Sequence, residues 1–421
     1  MKENLSFVLK LIQILLVFGT LYSYAMFQGG FVSWFLFYSF LPLFVYLFLL
    51  LLYPISKWSV KRTLSNHVKR AGESITVDID ITRKFAFPIY YCVIEEFFPS
   101  SINYTSIGHQ DYKYLNQPEK VVEKRMVKKI TFPWFKRNFH YQYTLTNLPR
   151  GEHKYHAIRI KTGDFFGFIK KGYVFPVTNR LLVYPRYRTI SIKKGLSRFD
   201  EGASTSLMMN SKNNNMVSGV REYAPGDRFS WIDWKTTARK DSVMTKEFEQ
   251  EKSSSILLIL DTVDYEGLNR LTFDASIELT FSLIESFNKK TSQLAFLALG
   301  AERVFIPFQQ DFSKQELMNH FLAKVRPGGD SPFHHQLADE VKKVPYGSIT
   351  MIVITYLNSE IKQSIDMVKQ KSNRIIIYLI KPSSKITSQD YQMIQQLSVE
   401  GVMINLITEE KLITQEFEVN I

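Results

Sequence analysis

The sequence predicts a multidomain chain with three parts. An N-terminal transmembrane helical hairpin leads into an antiparallel β-sandwich, and a C-terminal doubly wound α/β domain completes the chain. Three observations predict this. No side chain from Leu11 to Ser56 is charged. Residues 72–190 hold short period-two segments separated by turn signals. From Ser255 onward, continuous apolar strands alternate with amphipathic helices, the pattern of a parallel sheet covered on both faces. The expected boundaries are 1–55 for the hairpin, 56–190 for the sandwich, 191–250 for a linker with a dense polar–aromatic motif, and 251–421 for the α/β domain.

The uncharged run is too long for one span and carries Gln28-Gly29-Gly30 near its middle. A span needs about 20 residues at 1.5 Å rise to cross roughly 30 Å. Two spans therefore fit, over 7–27 and 31–53, with Pro54 at the exit. Glu3 in the leading segment and the second span directly behind the first argue against a cleaved signal peptide. Tyr22, Tyr24, Trp34, Tyr53 and Trp58 suit interfacial belts. The turn carries no charge, whereas Lys57, Lys61, Arg62, Lys69 and Arg70 follow the second span without an acid before Glu73. The positive-inside rule then puts both termini in the cytoplasm of a two-span membrane protein. The net charge of +13 is read the same way, as attraction to the lipid bilayer, since each juxtamembrane cation gains roughly 1 kcal/mol at an anionic leaflet.

In the middle, Ser74–Thr82 alternates with period two and Ile89–Ile94 is β-branched and aromatic. Val121–Thr131, His140–Thr146 and His156–Lys161 extend the series, which suits an immunoglobulin-like sandwich. Cys92 is the single cysteine. It excludes an intramolecular disulfide and a cysteine metal cluster, and its apolar neighbours make it a small strand residue. Ser204–Asn215 has no apolar period and reads as a loop.

The densest motif is Gly219–Arg239. Arg221, Glu222 and Tyr223 precede the turn Pro225-Gly226-Asp227; Arg228, Trp231, Asp233, Trp234 and Arg239 follow. Trp231 and Trp234 are three apart, as neighbours on one helical face would be. The segment is expected to join the sandwich to the α/β domain, with Trp234 and Arg239 structural and Arg221 and Arg228 nearer solvent. It resembles the domain of unknown function 58 family, whose pattern runs roughly R-E-Y-x-P-G-D-x-x-R-x-I-D-W-x-x-T-A-R. The central Arg of that pattern falls on Phe229 or Ser230, with Arg228 next door. Arg150-Gly151 and Asp164-Phe165-Phe166-Gly167 extend the resemblance into the sandwich.

The resemblance implies a von Willebrand factor A-like α/β domain. In metal-binding members of that fold the first strand ends in D-x-S-x-S, with a Thr and an Asp from later loops; Mg²⁺ needs several such oxygens. Only Asp261 is kept here, because Val263 and Tyr265 replace the two hydroxyl residues. Asp264, Asp330 and Ser331 are the remaining candidate ligands. The expectation is that no metal or other cofactor is used and that Asp261 is a structural strand-end residue.

Catalytic motifs are missing: His334-His335 has no partner at i+4, and no HExxH, GxSxG or Walker A sequence occurs. The acids among the cations of Gly219–Arg239 suit salt bridges better than acid–base work, so the chain is expected not to be an enzyme. Stacked aromatics among cations would also suit single-stranded nucleic acid, but the matching acids and the membrane tether oppose it, and no nucleic-acid partner is expected. The preferred expectation is a membrane-anchored adaptor. The resemblance implies a MoxR-type AAA+ ATPase as partner, with a membrane transglutaminase-like protein beside it, in envelope protein assembly or maturation. A metal-dependent ligand-binding module through Asp261 and a basic–aromatic nucleic-acid-binding protein are the alternatives.

Overall fold

The computed structural model describes residues 2–103, 108–193, 216–249, 255–289, 293–307 and 312–420. The chain forms two compact units, Met1–Ser106 with Val121–Tyr184, and Ile107–Lys120 with Pro185–Ile421.

The first unit begins with helices α1 (Lys2–Gln28) and α2 (Phe31–Leu52). Gly29, at φ +61, makes the reversal between them, a conformation that costs glycine no steric penalty. Both helices are long and apolar enough to cross a membrane. They pack through aromatic contacts, Phe18 meeting Phe37 and Phe44 at 5.4 Å each. The orphan carbonyls at the end of α2 are satisfied by Lys171, whose Nζ donates to the oxygens of Leu50 (3.2 Å), Leu51 (2.7 Å) and Tyr53 (2.7 Å). Burial pushes this amine down to about 8.

Among the described residues eight strands follow: β1 (Ser59–Leu64), β2 (Val68–Arg70), β3 (Ile75–Thr82), β4 (Tyr91–Glu96), β5 (Lys128–Thr131), β6 (Asn138–Leu145), β7 (Gly151–Gly163) and β8 (Lys170–Tyr184). They build a three-stranded sheet, β1-β3-β6, and a five-stranded sheet, β2-β8-β7-β4-β5. Every ladder is antiparallel except the short β2–β8 pair. The inward residues of both sheets share one core, with Val77 and Ile79 of β3 in the same cluster as Ile94, Ile158, Ile160 and Leu181. Cys92 belongs to this core, and burial pushes its thiol up to about 12, as an inert strand residue requires.

Three sequence expectations change here. Arg62, grouped with the juxtamembrane cations, is buried between the sheets. Its guanidinium pairs with Glu96 and donates to the Val177 carbonyl at 2.8 Å. Tyr53 and Trp58, assigned to an interfacial belt, are core residues of the same cluster. Val121–Thr131 is strand only over Lys128–Thr131, and β8, whose Lys, Asn and Arg residues obscure its alternation, is the longest strand.

The second unit contains β9 (Ile190–Lys193), β10 (Met216–Glu222), α3 (Trp234–Lys240), β11 (Met244–Glu249), β12 (Ile256–Asp261), α4 (Arg270–Lys289), β13 (Leu294–Leu299), β14 (Val304–Ile306), α5 (Phe312–Lys324), α6 (Phe333–Glu340), β15 (Ile349–Ile354), α7 (Ser359–Lys369), β16 (Arg374–Ile380), α8 (Ser388–Val399), β17 (Met403–Ile407), α9 (Glu409–Ile413) and β18 (Phe417–Asn420). Its main sheet runs β14-β13-β12-β15-β16-β17, parallel except for β14. Strands β12, β13 and β15 are buried at every position, as their unbroken apolar sequences require. One face packs against Leu337 of α6, Ile361 and Ile365 of α7 and Leu397 of α8. Helix α4 lies along β12, β13, β15 and β16. The expected loop at Ser204–Asn215 lies outside the described residues.

Residues 107–120, placed in the sandwich by sequence, group with this second unit. Tyr112, fully buried there, donates its hydroxyl to Glu278 of α4 at 2.5 Å. Glu278 also forms a 2.8 Å ion pair with buried Arg188. The same guanidinium donates to the carbonyls of Leu412 and Thr414 at 2.8 Å each and lies 3.7 Å from the centre of the Phe417 ring. One cation therefore ties α4 and the C-terminal segment together. Arg188→Met leaves Glu278 buried without its counter-charge and is expected to cost about 3–5 kcal/mol. Adding Glu278→Leu should restore most of that loss. Urea denaturation of the detergent-solubilised chain checks both, and a single variant within about 1 kcal/mol of wild type would contradict the assignment.

Candidate functional site

The Gly219–Arg239 motif folds into a small module of the second unit. Strands β10 and β11 pair antiparallel, and the 3₁₀ turn Phe229–Trp231 and helix α3 lie between them. Asp227 builds the first corner. It pairs bidentately with Arg221, at 2.8 and 2.7 Å, and accepts the Ala224 N–H at 3.0 Å. The Asp227 N–H donates to the Ala224 carbonyl, closing a turn with Pro225 at its second position and Gly226, φ +113, at its third. That is type II chemistry, in which proline supplies the first central φ and only glycine readily supplies the second. The Arg221 ion pair and the Ala224 N–H hold the Asp227 carboxyl below the usual carboxylate range.

Asp233 builds the second corner. As N-cap of α3 it accepts the N–H groups of Lys235 and Thr236 and the Thr236 hydroxyl. These bonds hold its carboxyl low as well. Ile232 and Met244 are buried, and Thr237 accepts the Met244 N–H at 2.9 Å, fixing where β11 begins. Asp241, at φ +54, reverses the chain after α3. Acids, turn residues and Thr237 thus assemble the module's backbone.

The remaining signature side chains point outward. Trp234 is 67% exposed and Phe229 77%. Glu222, Pro225, Arg228 and Arg239 are exposed too, while Tyr223 and Trp231 are half-buried. Arg228 lies over the Trp231 ring at 5.5 Å, and Tyr223 meets Phe229 at 6.3 Å. The expectation that Trp234 and Arg239 are packing anchors is corrected: Asp233, Ile232 and Thr237 do that work. Phe229 was missed as a surface residue. The signal was present, because Phe229 is one of the two positions on which the family pattern's central Arg falls.

The four candidate metal ligands do not converge. Asp261 ends β12 buried, with Oδ1 accepting the Val263 N–H (2.9 Å) and Oδ2 accepting the Tyr265 hydroxyl (2.7 Å). Tyr265 stacks on Tyr356 at 4.9 Å, closing this carboxyl off. The Gly328 N–H donates to the Thr262 carbonyl, and a Cβ on Gly329 would come within 2.7 Å of Gly300, so the Gly328–Ser331 loop is pressed onto the C-terminal ends of β12 and β13. Asp264 and Asp330 face solvent. Among the described residues no group of three or more His, Cys, Asp or Glu side chains gathers as a metal site would need.

Burial pushes the Asp261 carboxyl up from 3.8 to about 7. Between those pH values the folded chain holds a proton that the unfolded chain has released. Stability therefore falls as pH rises through this window and levels off above it. Asp261→Asn keeps an acceptor for Val263 and removes the titration. In denaturation from about pH 5 to about pH 8, wild type should lose up to about 1.4 kcal/mol per pH unit relative to the variant, up to neutrality. A pH-independent difference would contradict a buried, titrating Asp261.

Residues 219–413 match the family described as protein of unknown function DUF58. The chain is 31% identical over 399 residues to the uncharacterized protein YeaD of Bacillus subtilis (strain 168), covering 94% of this chain and 95% of that one. Among solved structures, the PilB minor pilin of Streptococcus sanguinis aligns over 77% of this chain and 85% of its own, at 8% identity and a TM-score of 0.29. Cwp6 of Clostridium difficile aligns over 85% and 56%, at 9% and 0.17. At those TM-scores neither likeness bears on fold or function. The family match over the module and α/β unit, with the end-to-end relative, shows that the chain belongs to the DUF58 family.

Proposed function

We propose that this chain is a membrane-anchored adaptor. Its hairpin crosses the bilayer with both termini in the cytoplasm, and its signature module docks a MoxR-type AAA+ ATPase supplied by another chain. The role is assembly or maturation of envelope proteins, with a membrane transglutaminase-like protein as a further partner. In this reading the sandwich is immunoglobulin-like and the α/β domain von Willebrand factor A-like. The observation that carries it is the division of labour inside the module. The carboxylates, Pro-Gly turn, Ile232 and Thr237 fix the backbone, and Trp234, Phe229 and Arg239 are left at the surface. Exposed Trp and Arg on a rigid support are the residue types that dominate protein interfaces. The metal-dependent alternative is weakened, since both Asp261 oxygens are already engaged.

Because Trp234 is mostly exposed, Trp234→Ala should change stability by no more than about 0.5 kcal/mol. Loss of an interface Trp commonly exceeds 2 kcal/mol, so ATPase recovered from detergent-solubilised membranes should fall by more than about tenfold. Normal folding with undiminished recovery would contradict the docking role. For topology, a reporter fused behind Ile421 should behave as cytoplasmic. Cleavage of the sandwich by protease added outside intact cells would overturn the orientation.

A further inference from the structure

Three loops of the first unit hold large aromatic side chains out of the sandwich beside α2. They are 83–90 between β3 and β4, 132–137 between β5 and β6, and 164–169 between β7 and β8. Phe85, Phe132, Trp134, Phe135, Phe165 and Phe166 are each between 53% and 68% exposed. The Tyr90 ring draws the loops into one patch, meeting Phe132 at 5.7 Å, Trp134 at 5.9 Å and Phe165 at 5.1 Å.

The loops are rigidly built. Buried Arg83 donates to the carbonyls of Phe87 (3.0 Å), Trp134 (2.9 Å) and Lys136 (2.9 Å), joining the first two. Buried Asp164 accepts the N–H groups of Phe166 (2.8 Å) and Ile169 (2.5 Å), shaping the third. Gly167, at φ +81, completes that turn. Polar groups thus fix the backbone while the phenyl rings face outward. So large an apolar surface calls for an occupant.

Position names the occupant. Phe87 stacks on Tyr53 at 5.0 Å and on Tyr46 at 5.8 Å, with an 8° angle between the last two rings. Ile169 is buried among Ile14, Leu47 and Leu50 of the helices, and Phe168 lines the cleft between them with Val17 and Phe44. Tyr46 lies six residues before the end of α2, about 9 Å along the axis. Helix α2 has 22 residues, about 33 Å, scarcely more than the roughly 30 Å of a hydrocarbon core. A spanning α2 cannot withdraw its last turns from the bilayer. Whatever packs beside Tyr46 is drawn to the same depth, and interfacial elements bury their apolar faces about 5–10 Å deep. Lys84, Lys136, Arg137 and Lys170 stand exposed beside the rings, and the one acid in these loops, Asp164, is buried. That charge suits anionic headgroups.

We propose that these loops form a second membrane-binding surface, a rim of aromatic side chains inserted into the leaflet from which the sandwich hangs. Their cations lie at the phospholipid headgroups. The proposal rests on the reading that the hairpin spans the bilayer. It fixes the sandwich against the membrane instead of leaving it on a free tether.

The test uses the full chain in phosphatidylcholine–phosphatidylglycerol liposomes with dibrominated acyl chains. An environment-sensitive fluorophore is placed in turn through Phe135→Cys, Phe166→Cys, Val45→Cys within α2, and Val399→Cys on the surface of the second unit. Buried Cys92, its thiol pushed up to about 12, should not label at neutral pH. The expected result is bromine quenching at positions 135 and 166 at least half as strong as at 45, with none at 399. Quenching at 45 while 135 and 166 behave like 399 overturns the surface and leaves the hairpin standing. A blue shift at 135 and 166 without quenching, as burial against a protein would give, also overturns it. No quenching at 45 overturns the spanning hairpin and this proposal together.

Discussion

Backbone N–H groups stranded where a chain reverses must find an acceptor, and this protein meets that constraint with carboxylates at its decisive corners. Asp164 holds the loop between β7 and β8, Asp227 the turn before Phe229, Asp233 the start of α3, and Asp261 the exit of β12. Each acid accepts a nearby N–H, so polar bonds share the fixing of its corner with buried neighbours such as Ile169 and Ile232. Other adjoining side chains are thereby freed from packing duty. At three of these four corners the adjoining aromatic residues are exposed, Phe165 and Phe166 beside the helices and Phe229 and Trp234 on the signature module.

This division explains which parts of the molecule were legible in the sequence. The α/β unit is legible nearly strand by strand, because β12, β13, β15 and β16 are apolar runs buried almost throughout. The hairpin was legible for the same reason. The sandwich was harder. Strand β8 carries Lys170, Lys171, Asn179 and Arg180, which obscure period two, and the membership of 107–120 in the second unit rests on Tyr112 and Glu278, far apart in sequence. Arg62 shows the limit of local reading. Beside Lys57 and Lys61 it looks like a membrane-facing cation, and only the fold reveals Glu96 opposite it.

The signature was recognisable from its residues, yet sequence inverted part of its logic. A tryptophan inside a dense motif suggests an anchor, whereas the anchors are Asp233, Ile232 and Thr237, and Trp234 is displayed. The metal question turns on a similar substitution. Tyr265 donates to Asp261 from one of the positions where a metal-binding strand end would carry a hydroxyl, and its ring stacks on Tyr356. The unit thereby has a protonatable, closed strand end, while the exposed aromatics Phe229 and Trp234 lie on the module.

In the proposed function the module presents a docking face while the hairpin holds the chain at the membrane. A photocrosslinking benzoylphenylalanine in place of Phe229 keeps an aromatic ring at the most exposed position of that face. On illumination of intact cells, the account predicts a covalent adduct between this chain and an AAA+ ATPase, abolished by Trp234→Ala in the same chain. Adducts confined to the chain itself, or an ATPase adduct indifferent to Trp234, would contradict it.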